Sequence, residues 1–284
     1  MERVDLVILG ATPAEITALT PFPTPVDSVA AADLARDKPN VKIAGNPFST
    51  YIYHDLKLLA GITGLGKVNA AATAAAVLSS FRVRQVWNVG CSGAYAGSGL
   101  EIGDVLIADN CICADEGILG KEGPIPTSGL EIPLAVKNGR AFYDCFPLEE
   151  SFSKQIRAIL PAGMYIRSPS GGIRAMEAGE SAETAGRFKV IYGPSLTVSM
   201  ASGDIETAGK RFQRFRALAE NMEGSAIAQT CLLFDVPFLE FRGISNMAGV
   251  RDKARWDMAV AIANCSAAMM HVLQWTVDGT QEDR

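Results

Sequence analysis

The sequence predicts an α/β fold in one domain over residues 1–284: a three-layer sandwich with a mixed central β-sheet flanked by helices. Three observations predict it. Short runs such as Val4–Leu9, apolar but for Asp5, and Val83–Val89 have the length of buried strands rather than of helices. They alternate with longer helical patterns, the clearest being the Ala-rich stretch from Val68 to about Phe81. Glycine turns separate the two kinds of segment, a pattern that places strands in one sheet covered by helices.

Along the chain, Val4–Leu9 reads as a first strand, closed by the turn Gly10-Ala11-Thr12-Pro13-Ala14-Glu15. Residues 20–50 are rich in proline and small polar residues and read as a long excursion or flap. Tyr51–Tyr53 and Lys57–Ile62 form a strand pair around His54-Asp55, and Thr63-Gly64-Leu65-Gly66-Lys67 opens the Ala-rich helix. Val83–Val89 is expected to end in a glycine turn, Gly90-Cys91-Ser92-Gly93-Ala94. Gly103–Asp109 begins another strand, and residues 115–180 read as irregular apart from a helix at Phe152–Leu160. Tyr192–Ser199 is a strand followed by a loop. Met222–Phe234 is a helix by the spacing of Ala226, Ile227, Thr230, Cys231 and Phe234, Pro237–Ile244 a strand, and Met258–Trp275 a closing helix before a frayed tail, Asp278–Arg284.

Composition narrows the function classes. The 284 residues are 48% hydrophobic and 20% charged, enough for a large core. The net charge of -5, with no basic run, argues against a nucleic-acid surface. The N-terminus carries acids where a signal peptide needs basic residues, and no stretch approaches the roughly 20 uninterrupted apolar residues of a membrane span. Six scattered cysteines form no disulfide framework and point to a reducing cytoplasm. With two histidines and a lone Cys111-x-Cys113, neither a zinc site nor a Ser-His-Asp triad is supplied, and no cofactor is expected.

Several motifs admit two readings. Gly61-Ile62-Thr63-Gly64-Leu65-Gly66-Lys67-Val68 approaches the phosphate loop, but Val68 lacks the hydroxyl that would hold magnesium. It is a tight turn, or a turn whose amides line a small-ligand pocket. Gly90–Ala94 approaches a nucleophile elbow but ends in Ala94 and has no histidine to serve it. Glu15 is either a helix-start acid favoured by the dipole or a base over a water. Glu223, in apolar surroundings at a helix start, is either a dipole partner or an acceptor for a vicinal diol. Arg251-Asp252-Lys253-Ala254-Arg255-Trp256-Asp257 is a surface ion-pair cluster or a lid.

Together, Gly10-Ala11…Glu15, Gly64-Leu65-Gly66-Lys67-Val68-Asn69-Ala70-Ala71, Asn88-Val89-Gly90-Cys91-Ser92-Gly93, Asn221-Met222-Glu223-Gly224 and Arg242-Gly243-Ile244-Ser245-Asn246 resemble the nucleoside phosphorylase/nucleosidase family, most closely its hydrolytic branch. Within that branch, Gly243–Asn246 with Arg251–Asp257 is similar to the futalosine hydrolases, which release hypoxanthine from futalosine in a menaquinone pathway. The resemblance implies a nucleoside phosphorylase-like fold, a small-molecule nucleoside substrate, and a homodimer or higher homo-oligomer. It implies that Glu15 activates water, that Met222 and Glu223 hold the ribose, and that Ser92, Gly93, Val198, Ser199 and Met200 flank the base. Asn246 falls where adenosine-type nucleosidases place an aspartate that protonates the purine at N7. An asparagine can donate to N7 or to a 6-oxo group and suits hypoxanthine, but it cannot deliver a proton. Arg251 is the candidate to meet the substrate carboxylate.

Three rival readings stand beside it. A phosphorylase would need arginines around phosphate, and residues 10–35 contain none. An adenine-specific nucleosidase is disfavoured by Asn246. A non-catalytic purine-binding protein would not need Glu15.

Overall fold

The computed structural model describes residues 1–17, 41–121, 123–168, 171–177, 179–180 and 186–282. Most of the expected flap over residues 20–50 lies outside them; residues 41–50 form one strand, a turn at Ala44-Gly45 and the start of a second strand.

The chain begins with β1 (Glu2–Val4), β2 (Leu6–Gly10) and the short helix α1 (Pro13–Thr17). The first apolar run is thus two strands, parted at Asp5, whose carboxylate accepts the Lys57 N–H at 3.0 Å. An antiparallel meander of β3 (Val41–Ile43), β4 (Asn46–Tyr53) and β5 (Leu56–Ile62) follows, with His54 left-handed at the tight turn (φ 53°). Then come α2 (Lys67–Ser80), β6 (Phe81–Val83), β7 (Val86–Ala94) and β8 (Val105–Cys113). Gly90–Ala94 is therefore strand, not turn. Its glycines serve close approach of other groups rather than chain reversal.

Residues 115–180 are more regular than their sequence suggests. They hold β9 (Gly117–Gly120), β10 (Gly123–Pro126), β11 (Ala135–Lys137), β12 (Arg140–Phe142), β13 (Cys145–Pro147), α3 (Glu150–Ile159), β14 (Gly163–Arg167) and β15 (Ile173–Ala175). Strands of three to five residues are too short to show a period. The chain continues with β16 (Arg187–Thr197), α4 (Ile205–Phe215), β17 (Ala219–Asn221), α5 (Gly224–Phe234), β18 (Phe238–Met247) and α6 (Met258–Glu282). Helix α4 replaces the expected loop. It is capped by Asp204, which accepts the Thr207 N–H at 2.7 Å, and it lays Ala208, Phe212 and Phe215, spaced at helical intervals, on the cluster around Tyr95 and Leu196. Helix α6 also runs through most of the tail expected to fray.

The main sheet has the order β15-β14-β16-β8-β18-β7-β2-β5-β4-β3. Strand β17 bridges β16 and β7, so β7, β18, β8, β16 and β17 close a ring of hydrogen-bonded strands. Strands β2, β5, β7 and β18 run parallel, so their carboxyl ends gather on one side, where open α/β sheets bind ligands. Both faces of the sheet are covered: Leu6 and Ile8 of β2 pack with Trp87, Phe241 and Met269, while Val7 and Leu9 pack with Val77 and Ile227. The segment Lys253–Thr276 is apolar and long enough to cross a membrane by composition alone. Half of its most apolar stretch is buried, with Ala261, Cys265, Ala268 and Met269 inside the fold.

Candidate active site

Glu15 shows both of its readings at once. Its Oε2 accepts the Thr12 N–H at 2.9 Å and the Thr12 hydroxyl at 3.0 Å, the back-bond of a capping box. Its Oε1 turns to the sheet and accepts the Cys91 N–H at 3.0 Å. The approach depends on Gly90: a Cβ there would stand 2.5 Å from Glu15 Oε1 and 2.8 Å from Arg242 Nη1. Burial, with Glu15 beside it, pushes the Cys91 thiol up, so that sulfur stays protonated.

Glu223 is the N-cap residue of α5, yet its side chain does not cap the helix. That work falls to Asn221, whose Oδ1 accepts the N–H groups of Glu223 at 3.0 Å and Gly224 at 2.7 Å. Freed from capping, Glu223 Oε1 accepts the Gly66 N–H at 3.0 Å. Its Oε2 lies 3.7 Å from Arg242 Nη1, an ion pair beyond hydrogen-bond length. Burial raises the Glu223 pKa, and Arg242 and the Gly66 N–H only partly oppose it.

Arg242 is the central cation and was not singled out from the sequence. It is 1% exposed, on β18, two residues from Glu240 on the same strand face, and donates to Glu240 Oε2 at 3.1 Å. Burial works against its charge, but Glu240, Glu223 and Glu15 outweigh that and raise its pKa. Among the described residues its Nε has no partner.

Strand β7 joins the carboxylates to Asn246. Cys91 reaches Glu15, the Ser92 carbonyl accepts the Ser245 hydroxyl at 3.3 Å, and a Cβ on Gly93 would stand 3.1 Å from Asn246 Nδ2. The Ser245 hydroxyl also donates to Asn246 Oδ1 at 2.9 Å, while Asn246 Nδ2 donates to the Met247 carbonyl at 3.0 Å. Thus the amide turns its oxygen to Ser245 and keeps a second N–H to offer. The buried Ser92 hydroxyl has no hydrogen-bond partner among the described residues.

The remaining expected residues are less gathered. Met222 and Val198 pack in one cluster with Tyr95 and Leu196. The Ser199 N–H donates to Asp115 at 2.5 Å, and Asp115 also takes Lys67 Nζ at 2.5 Å. Burial alone would raise the Asp115 pKa; these bonds outweigh it and lower it. Lys67, the cation of the phosphate-loop-like stretch, is therefore engaged by Asp115 and Glu116. Met200 is 77% exposed, with its carbonyl held by Arg211 at 2.8 Å. Arg251 is exposed and lies 5.0 Å over the Trp256 ring. A separate cavity of about 740 Å³ lies between Ala14 and Thr17 of α1 and Ala263, Ala267 and Met270 of α6; none of the cluster carboxylates lines it.

Comparison with known proteins bears on this arrangement. Residues 5–274 match the family model described as the phosphorylase superfamily. The chain belongs to the phosphorylase superfamily. It is 32% identical to the futalosine hydrolase of Thermus thermophilus over 234 residues, 81% of this chain and 89% of that one. It is 29% identical to the 5'-methylthioadenosine/S-adenosylhomocysteine nucleosidase of Staphylococcus aureus over 245 residues, 85% and 86% of the two chains. Among solved structures, futalosine hydrolase of Helicobacter pylori superposes with a TM-score of 0.69 at 20% identity, covering 96% of this chain and 98% of that one. A nucleosidase of Colwellia psychrerythraea in complex with adenine gives 0.69 at 20% identity, covering 96% of each chain. The structural likeness establishes the nucleoside phosphorylase-like fold. With such relatives, this member of the superfamily is an enzyme, an N-glycosidase.

Proposed function

We propose that this superfamily member is a futalosine hydrolase, which cleaves the N-ribosidic bond of futalosine with water and releases hypoxanthine and dehypoxanthinyl futalosine for menaquinone biosynthesis. The observation that carries the reading is the Asn246 amide, turned by Ser245 so that an N–H remains for the base. A 6-oxo purine presents acceptors at N7 and O6, and this amide donates to either. An adenine ring presents a 6-amino donor that the committed Oδ1 does not serve.

In this mechanism Glu15 takes a proton from water as the oxygen attacks the anomeric carbon. The C–N bond breaks and its electron pair leaves with the purine. Glu223 accepts the ribose hydroxyls, and its negative charge stabilises the oxocarbenium-like transition state. Asn246 holds the departing hypoxanthine; an amide has no proton to give, so the base leaves as a hydrogen-bonded anion or takes a proton from water or Asp252, and the proton held by Glu15 returns to solvent. Met222, Ser92, Gly93, Val198, Ser199 and Met200 enclose the sugar and base, and Arg251 meets the substrate carboxylate at the mouth. We assign this to a single-domain chain that works as a cytoplasmic homodimer.

A second reading, hydrolysis of methylthioadenosine or S-adenosylhomocysteine, is favoured by the 29% identity to the Staphylococcus aureus enzyme. One assay separates them: base release from futalosine, inosine and methylthioadenosine, each with and without phosphate. Phosphate-independent hypoxanthine from futalosine supports the proposal. Adenine from methylthioadenosine selects the second reading, and phosphate-dependent release overturns hydrolysis.

A further inference from the structure

Three buried carboxylates share one guanidinium, and the third is unused by the proposed chemistry. Glu240 is 0% exposed. Its Oε2 accepts Asn88 Nδ2 at 2.8 Å and Arg242 Nη2 at 3.1 Å, and its Oε1 accepts Asn221 Nδ2 at 3.4 Å. Asn221 is the residue that caps α5 through the Glu223 and Gly224 N–H groups. Glu240 therefore grips both the cation beside Glu223 and the helix start that carries Glu223. Gly224 makes room for it, since a Cβ there would overlap the Glu240 carboxylate.

The distances on Arg242 are unequal. The guanidinium is hydrogen-bonded to Glu240 and stands 3.7 Å from Glu223. Without the nearer carboxylate it would move onto Glu223 and occupy the lone pairs that a sugar hydroxyl needs, because a fully buried cation takes whatever anion is in reach. We propose that Glu240 is a positioning residue: by holding Arg242 it keeps Glu223 free as a hydrogen-bond acceptor for the sugar. This rests on the ribose-binding role of Glu223 proposed above.

The groups facing Glu223 are Arg242 and Glu240 from β18, Glu15 from α1 and the Gly66 N–H before α2. Removing the Glu240 charge takes away one repelling anion and frees Arg242, and both effects lower the Glu223 pKa. The test uses full-length protein labelled with ¹³C in glutamate carboxyls, the Glu223 resonance being identified by its loss in Glu223→Gln. In Glu240→Gln the Glu223 midpoint should fall by about one pH unit, and Glu240→Asp, which keeps the charge, should restore most of it. KM for the nucleoside should rise about tenfold in Glu240→Gln, more than kcat changes. An unmoved Glu223 midpoint in Glu240→Gln, or an equal shift in Glu240→Asp, overturns the proposal. The titration needs no turnover, so a wild-type protein inactive on every nucleoside would sink the functional reading while the Arg242 clamp was still judged on its own.

Discussion

The Gly66 N–H donates to Glu223 Oε1 at 3.0 Å, tying the turn before α2 to the start of α5. Gly66 can present that N–H because its backbone is left-handed (φ 92°), a conformation that a side chain would strain. The bond turns Glu223 from its own helix toward the cluster containing Glu15 and Arg242.

Glu15→Gln should keep the Thr12 and Cys91 contacts in part, yet lose the base. Base release should slow by about two to four powers of ten in kcat, with nucleoside binding little changed. Single-turnover kinetics with an equilibrium binding measurement would check this. A drop confined to KM would mean that Glu15 only binds.

Gly90→Ala places a methyl where Glu15 Oε1 and Arg242 Nη1 now stand, 2.5 and 2.8 Å away. Forced repacking of this kind costs about 1–3 kcal/mol. Activity should fall at least tenfold, beyond any loss of folded protein at the assay temperature. Thermal unfolding followed alongside kcat would separate the two.

Asn246→Asp restores a group that can be protonated and can accept from a 6-amino substituent. The ratio of kcat/KM for methylthioadenosine to that for futalosine should rise by about a hundredfold or more, since a mismatched buried group is left unpaired. An unchanged ratio would show that selectivity lies elsewhere in the site.

Glu223→Gln has a defined effect on pH stability. The folded pKa of Glu223 is raised by burial, so between its unfolded and folded values the native state binds more protons. Its contribution is fully present below the unfolded pKa, about 4.3, and is lost as pH rises through the raised folded value. The melting temperature of the variant should therefore gain on wild type as pH rises from about 4 through that window. A variant that loses ground on wild type as pH rises would contradict the raised pKa.

Much of the fold was legible because its signals are local. The runs at Val4–Leu9, Val83–Val89 and Pro237–Ile244 mark the strands β2, β7 and β18, although the first two also take in the ends of β1 and β6, and the Ala-rich run marks α2 within a residue of its ends. The short strands between Gly117 and Ala175 were missed because three residues carry no period. Helix α4 was legible too, from its Asp204 cap and from Ile205, Ala208, Phe212 and Phe215 at helical spacing, but its apolar residues are sparse among charged ones. In the site, Glu15, Glu223 and Asn246 stood out as polar residues at the ends of apolar segments. Arg242 and Glu240 did not, because an alternating pair of charges inside a strand names no partner.

By itself the sequence determined the alternation of strand and helix, the residue types at the strand ends and the membership those motifs share. These follow from periodicity and turn chemistry within a few residues of each position. Only the tertiary structure decided which anion Arg242 holds, that Asn221 rather than Glu223 caps α5, and that five strands close into a ring. Those outcomes depend on the distances between side chains far apart in the chain. Packing sets those distances to tenths of an ångström, and no local pattern encodes them.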